Sequence, residues 1–356
     1  MLTTQHLLSV TISLTILMLV LLAYMCISLV KQNKRDKQKA RWQVKTNVLI
    51  TKAIFFEEDE QTPFSININK RIKELLNKRL FRKLLIDELV TSNNSLAGVA
   101  AENLSKLYKQ LGLRKDSERN LKSSKWHIKA MAIKQLATMH FDDFPPELFK
   151  LTNHKNEYIR MEAQTSIVKY HGFEGLEFLN HIKYPVSEWH QLNLLKELSN
   201  IPSGDFKGIE NWLQSTNDTV IIFALKLSAS YHQFHLYDQI VECLNHENQK
   251  VRLQCIKCLR EIYEDTTAAH LIRIYNDEPK AHQLAILSAL KEIASPDSLS
   301  FLKRQLSSDD DQIKIAATRA LFKCGPEGED IVYKHHSASR YPLHEIIQQV
   351  KMECTR

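Results

Sequence analysis

Apolar residues recur along this chain every 31 residues, and that period restricts its fold more than any other feature. Leu151, Ile182, Leu213, Leu244, Tyr275 and Leu306 follow one another at intervals of 31. Leu148, Leu179, Ile209, Ile240, Leu271 and Leu302 form a parallel ladder, and both lie on the first helix expected in each unit. A third ladder, Ile128, Ile159, His190, Val220, Val251, His282 and Ile313, marks a second helix. Between the two sit turn-rich stretches such as Asn153-His154-Lys155-Asn156, Ser215-Thr216-Asn217-Asp218 and Ser307-Ser308-Asp309-Asp310, which offer N-cap oxygens. A fixed period of this length marks stacked supersecondary units. Each unit therefore reads as a helical hairpin.

Counted from the third ladder as position zero, positions two, five and eight are mostly apolar, as in Leu253, Ile256 and Leu259 or Leu284, Leu287 and Leu290. At about 100° per residue they form one face, which a lone hairpin has no means of burying. Neighbouring hairpins must cover it, so the expected fold is all-α, an α-solenoid of about seven to eight hairpins over residues 124–356. Ile72 to Val90 and Leu96 to Leu111, within 66–123, are expected to form an N-terminal capping pair. Glu329 to Lys334 and Leu343 to Met352 are expected to form the last hairpin. With only 8 glycines and 9 prolines in 356 residues, the chain lacks the turn residues that sandwiches, barrels or doubly wound sheets need.

The units resemble HEAT-like repeats of the short kind found in bacterial phycobilisome-lyase-type proteins. The resemblance rests on second helices that open with a polar turn and a Val-Arg pair and end in small and aliphatic residues. The matching stretches are Asn248-Gln249-Lys250-Val251-Arg252 running to Cys258-Leu259, Glu157-Tyr158-Ile159-Arg160 running to Ile167, and Asp311-Gln312-Ile313-Lys314 running to Gly325. The chain departs from the pattern where His190 and His282 replace the aliphatic and Ile221 the arginine. The glycine after the second helix survives only as Gly172 and Gly325. The resemblance implies a structural role for Arg160, Arg252 and Lys314, tying adjacent repeats through carboxylates or carbonyls. A tetratricopeptide-like adaptor is the structural alternative, although its period is about 34 and its Trp, Gly and Tyr signature is missing.

Leu7 to Val30 is a run of 24 residues without a charge. As a helix it spans about 36 Å, more than a hydrocarbon core of about 30 Å, so it is expected to be a transmembrane helix within residues 1–30. Lys31, Lys34, Arg35, Lys37, Lys39, Arg41 and Lys45 follow at once, and no Lys or Arg precedes it. The excess of cations on one flank predicts an outside N-terminus and a cytoplasmic solenoid at the cell (inner) membrane. A cleaved signal peptide, the competing reading, lacks its basic leader and a good cleavage site. Residues 31–65 are expected to be a basic juxtamembrane segment followed by an acidic linker. The formal charge is +7, and residues 31–45 hold seven cations and one anion, so residues 46–356 carry only +1. That balance argues against a nucleic-acid partner. The linker acids Glu57-Glu58-Asp59-Glu60 are expected to be solvated or to dock on Lys70, Arg71, Lys73, Lys78, Arg79, Arg82 and Lys83.

The candidate site is a column. Position six falls at roughly 240°, opposite the core, and holds Lys134, Thr165, Lys196, Lys226, Lys257, Ser288 and Arg319. Five cations in seven places, where 48 among 356 residues would give about one, make Lys134, Lys196, Lys226, Lys257 and Arg319 the expected contacts for an acidic protein segment on the concave face. A duplicated solubilising lysine, neutralised by Glu162, Glu197, Glu261 and Glu292, is the plainer reading. Cys255 and Cys258 stand where other units carry alanine, so they read as core residues. Cys26, Cys243, Cys324 and Cys354 complete a scattered set with neither a disulfide framework nor a zinc pattern. His154, His246, His335 and His336 fall on expected loops. With no catalytic constellation, the chain is expected to be no enzyme and to need no cofactor, metal or small-molecule substrate. The expected role is a membrane-anchored scaffold for a protein partner, in a bacterial envelope, polysaccharide-synthesis or signalling complex. The enzyme alternative is a DNA glycosylase or a bilin lyase, since HEAT-like folds host both.

Overall fold

The structure is a computed structural model that describes residues 4–58, 63–139, 146–199, 201 and 207–354. The described residues form nineteen α-helices and no strand. The first, α1 (Thr4–Ile54), is followed by α2 (Lys70–Leu76), α3 (Arg79–Asn93), α4 (Val99–Gln110), α5 (Arg114–Leu121) and α6 (Trp126–Thr138). Next come α7 (Pro146–Leu151), α8 (Glu157–His171), α9 (Glu188–Leu198), α10 (Ile209–Leu213), α11 (Asp218–Ser230), α12 (Tyr237–Glu242) and α13 (Gln249–Leu259). The chain ends with α14 (Thr267–Ile274), α15 (Lys280–Ile293), α16 (Leu299–Gln305), α17 (Asp311–Lys323), α18 (Pro326–Tyr333) and α19 (Leu343–Cys354). The contacts divide the chain into two compact units, residues 1–166 and 167–356.

In the first unit, α1 is a single helix of 51 residues. The basic juxtamembrane segment after residue 30 is therefore a continuation of this helix, and non-helical chain begins only after Ile54. The reason is local: residues 4–54 contain neither Gly nor Pro, and the basic stretch is rich in good helix formers. Its last turns are part of the core. Leu49, Ile50 and Ala53 pack with Phe81, Leu85 and Leu89 of α3 and with Leu104, Leu107 and Tyr108 of α4, and Trp42 meets Phe81 edge to face at 5.7 Å. The helix expected from Ile72 to Val90 is broken, because Lys78 takes an extended conformation between α2 and α3. Arg82 of α3 reaches Asp116 of α5 and the carbonyl of Gly112 at 2.8 Å, so α5 is fastened to this cap while pairing with α6. Glu58 docks on Lys106 of α4 and on the Phe64 amide rather than on the basic residues of α2 and α3; Asp59 and Glu60 lie outside the described residues.

The hairpins are α5/α6 and α7/α8, then the 3-10 run Gly172–Asn180 with α9, then α10/α11, α12/α13, α14/α15, α16/α17 and α18/α19. First helices are short, five to eight residues from α10 to α18, and are often extended by 3-10 turns. The turn inside a hairpin repeats one device. A His or Ser side chain accepts the amide two residues on, and the Asn or Asp there caps the second helix. His154, Ser215, His246 and Ser308 accept from Asn156, Asn217, Asn248 and Asp310 at 3.0–3.2 Å. Asn217, Asn248 and Asp310 in turn accept the Thr219, Lys250 and Gln312 amides at 2.8–3.1 Å. Successive turns are also joined to each other. Asn217 donates to the Tyr184 carbonyl at 3.1 Å, Asn248 to Asp218 at 2.6 Å, and Lys280 pairs with Asp310. In the second unit one continuous core, from Val168 to Val350, runs through all six hairpins. This is an α-solenoid, with the period of 31 residues as the advance from one hairpin to the next.

Candidate partner-binding surface

The second helices of the second unit place Lys196 on α9, Lys226 on α11, Lys257 on α13, Ser288 on α15 and Arg319 on α17. Lys134 lies in the first unit, on α6, where it is exposed. Lys196 and Lys257 are exposed and make no ion pair among the described residues. Lys226 is half-buried and donates to Gln191 Oε1 at 2.8 Å. Burial lowers its pKa, Glu188 pulls it back up, and the neighbouring ammonium of Lys257 lowers it again. Two column lysines are therefore close enough to repel. Two of the nearby acids are engaged elsewhere: Glu261 with Arg260 at 2.7 Å and Glu292 with Lys291 at 3.4 Å.

Arg319 differs from the other members. Its guanidinium is held by Glu353 of α19 at 2.8 and 2.9 Å, which fixes the last helix against α17. Hydrogen bonds from Arg319 and Gln349 hold the Glu353 carboxyl at about 2, well below its ordinary 4.5. A carboxyl whose folded pKa is depressed adds stability above its unfolded pKa and loses it as pH falls through the folded one. The end of α19 is therefore expected to loosen between pH 4.5 and 2. Amide exchange over residues 349–354 reads this, and a Glu353→Gln protein that exchanges like wild type at neutral pH would show that the pair does not hold the helix.

The repeat-tying residues divide in three ways. Arg252 donates to the carbonyls of His246 and Glu247 at 2.9 and 3.0 Å in its own turn. It also crosses to Glu278 of the next hairpin at 2.5 and 3.3 Å. Arg160 reaches the His154 carbonyl at 2.8 Å, again in its own turn. Lys314 pairs with Asp311, one turn earlier on α17, at 3.0 Å. The Glu278 carboxylate also touches His282 Nδ1 at 2.5 Å, so an arginine, a carboxylate and an imidazole meet inside the stack. Sequence reasoning missed Glu278. Its signal was an acid one helical turn before the His that replaces an aliphatic.

Position two departs from expectation. Leu253, Ile222, Leu284 and Ile315 are half-buried and Leu192 is 59% exposed, whereas Leu225, Ile256 and Leu287 at position five are sealed. At roughly 200° position two sits on the rim of the apolar arc, beside position six, and solvent reaches it. Cys243, Cys255 and Cys258 are buried. Burial pushes their thiols up, Cys243 to about 11 and Cys258 to about 12, and Cys255 donates to the Ile240 carbonyl at 3.0 Å. These are packing positions. His154 and His246 serve as turn acceptors, and His335 lies against Ser307 at 3.2 Å.

Residues 237–321, from α12 to α17, match the family model for HEAT repeats. No curated protein matches the chain by sequence. Among solved structures, an engineered protein from a structural genomics consortium is 17% identical, covers 80% of this chain and 87% of its own, and has a TM-score of 0.39. A chain from the structure of Kap95p with RanGDP is 11% identical over 92% of this chain and 47% of its own, with a TM-score of 0.40. A structure of microtubule polymerases whose TOG domain arrays recruit tubulin is 14% identical over 90% and 84%, with a TM-score of 0.26. The segment from α12 to α17 thus carries HEAT repeats, and the hairpins on either side of it keep the same period.

Proposed function

We propose that the protein is a single-pass membrane scaffold. In this reading α1 crosses the bilayer over residues 7–30, and the repeats hold a protein partner on the cytoplasmic side, through the face that carries the cation column. The observation that carries it is in α1. Every side chain from Ile12 to Val30 is exposed, with a mean hydropathy of 2.5 over its most apolar stretch, and the same helix ends in the core of the first unit. An apolar surface of that length has no stable place in water. Residues 31–41 are also exposed, so about 16 Å of bare helix separates the hydrocarbon edge from the first packed side chain, Trp42. Its cations suit anionic headgroups.

The partner is expected to present carboxylates, as part of an envelope, polysaccharide-synthesis or signalling assembly, and the chain to bind rather than catalyse. Alkaline carbonate extraction tests the anchor. Full-length protein should stay in the membrane pellet and a chain lacking residues 1–30 should be released folded; release of the full-length chain would sink the reading. Crosslinking in intact membranes tests the face: Lys196→Glu with Lys257→Glu should abolish partner recovery without lowering the melting temperature. Unchanged recovery would make the column ordinary surface. Duplex-DNA binding that falls steeply with salt would favour the glycosylase alternative instead.

A further inference from the structure

In the second unit every second helix from α9 to α17 sets an aliphatic residue one turn before its position-six residue. The pairs are Leu192 with Lys196, Ile222 with Lys226, Leu253 with Lys257, Leu284 with Ser288, and Ile315 with Arg319. Residues four apart are neighbours on a helix surface, so each helix shows solvent one apolar and one polar or cationic contact side by side. None of the five aliphatics is sealed in the core. Between α15 and α17, Leu284 and Ile315 line a groove of about 410 Å³ that also touches Lys291 and Arg319. That volume takes a large apolar side chain with room to spare.

Spacing and charge narrow the occupant. Packed helices lie about 8–10 Å apart. A polyproline II segment has three residues per turn and rises about 3.1 Å per residue, so every third side chain returns to one face after about 9.3 Å. A β-strand alternates faces and would turn its third residue away. Lys196 and Lys257 are exposed and have no ion-pair partner among the described residues, so these ammonium groups call for carboxylates, whereas Arg319 already has Glu353.

We infer that this face binds one extended, left-handed segment of a partner protein, with an apolar side chain at every third position and a carboxylate beside it. The apolar groups seat beside the position-two aliphatics, one of them in the groove between α15 and α17, and the carboxylates meet the lysines of the column. The inference rests on the reading that this face holds a partner.

The test uses full-length protein in detergent and labelled synthetic peptides read by fluorescence anisotropy. Five repeats of Leu-Glu-Pro should bind, and more weakly as salt rises. Ser-Glu-Pro should bind at least tenfold more weakly, and Leu-Lys-Pro not at all. Leu192→Ser with Leu253→Ser should cost at least tenfold in Leu-Glu-Pro affinity with unchanged melting; Leu192→Ser alone, at the most exposed position, should still weaken it. Equal binding of Leu-Glu-Pro and Ser-Glu-Pro, or tighter binding of a helical Leu, Glu and Ala peptide, would overturn the inference. So would failure of Leu-Glu-Pro to bind. Partner recovery in membranes that still depends on Lys196 and Lys257 would then leave the scaffold reading standing.

Discussion

Glu278→Ala should cost the protein about 3–5 kcal/mol, the range for stripping one member from a buried ion pair. The Glu278 side chain is 5% exposed, that of His282 6% and that of Arg252 17%. Removing the carboxylate leaves a guanidinium facing an imidazole with no carboxylate between them. Arg252 keeps only the carbonyls of its own turn, at 2.9 and 3.0 Å, and loses its link to the next hairpin. The comparison that isolates the mechanism is a triple variant, Glu278→Leu with His282→Ile and Arg252→Met. Replacing a buried charged cluster with apolar residues of similar size is often neutral or stabilising, so the triple variant should recover most of the loss. Isoleucine or valine already fills the site of His282 at Ile159, Val220, Val251 and Ile313. Urea unfolding of each variant measures this. A Glu278→Ala loss below about 1 kcal/mol, the scale of an exposed pair, would mean that the carboxylate does not hold the two hairpins together.

What could be read from the sequence was what repeats. The ladders fix where each helix starts, because Leu148, Leu179 and Ile240 reach the core for the same reason in each unit. The turn residues were legible too, since Asn217 and Asp310 cap by the same local geometry wherever they stand. Interactions between repeats were harder to see. Whether Arg252 finds a carboxylate, a carbonyl or solvent depends on which residue the next hairpin brings to that height. Glu278 does so for Arg252, whereas Lys314 meets Asp311 of its own helix and Arg160 reaches a carbonyl of its own turn. The column was legible as a pattern but not as a state: nothing in the spacing of Arg319 foretold that Glu353 would engage it. Position two was misplaced for a similar reason. Periodicity gives an angle, and the depth of the neighbouring helix decides whether that angle is covered. The sequence reading ended the membrane helix at residue 30, where the charges begin, although helix formers without a breaker carry the helix on to Ile54.

Gly328→Ala is expected to be the most damaging single methyl in the second unit. The sequence shows Gly172-Phe173-Glu174-Gly175 and Gly325-Pro326-Glu327-Gly328, two copies of one spacing, each straight after a long second helix. The first glycine of each has positive φ, +62° at Gly172 and +82° at Gly325, where a side chain would strain the backbone as the chain leaves the helix. The second glycine has a different task. A Cβ at Gly328 would stand 2.0 Å from the Leu321 carbonyl oxygen, and one at Gly175 2.7 Å from that of Ile167. Both obstacles are backbone of the preceding helix, which cannot rotate aside as a side chain would. Accommodating the methyl means lifting α18 off α17, and α19 follows it, so the loss should exceed the roughly 1–3 kcal/mol of ordinary overpacking. Gly325→Ala is the matched control, because nothing lies within 4 Å of its Cβ. It should cost about 1–3 kcal/mol, the penalty for an L-residue at φ +82° and ψ −159°, a region open essentially only to glycine. Thermal melts of the two variants decide between the roles. If Gly328→Ala melts within a degree or two of Gly325→Ala, the close approach of α18 to α17 does not set the stability of the last hairpin.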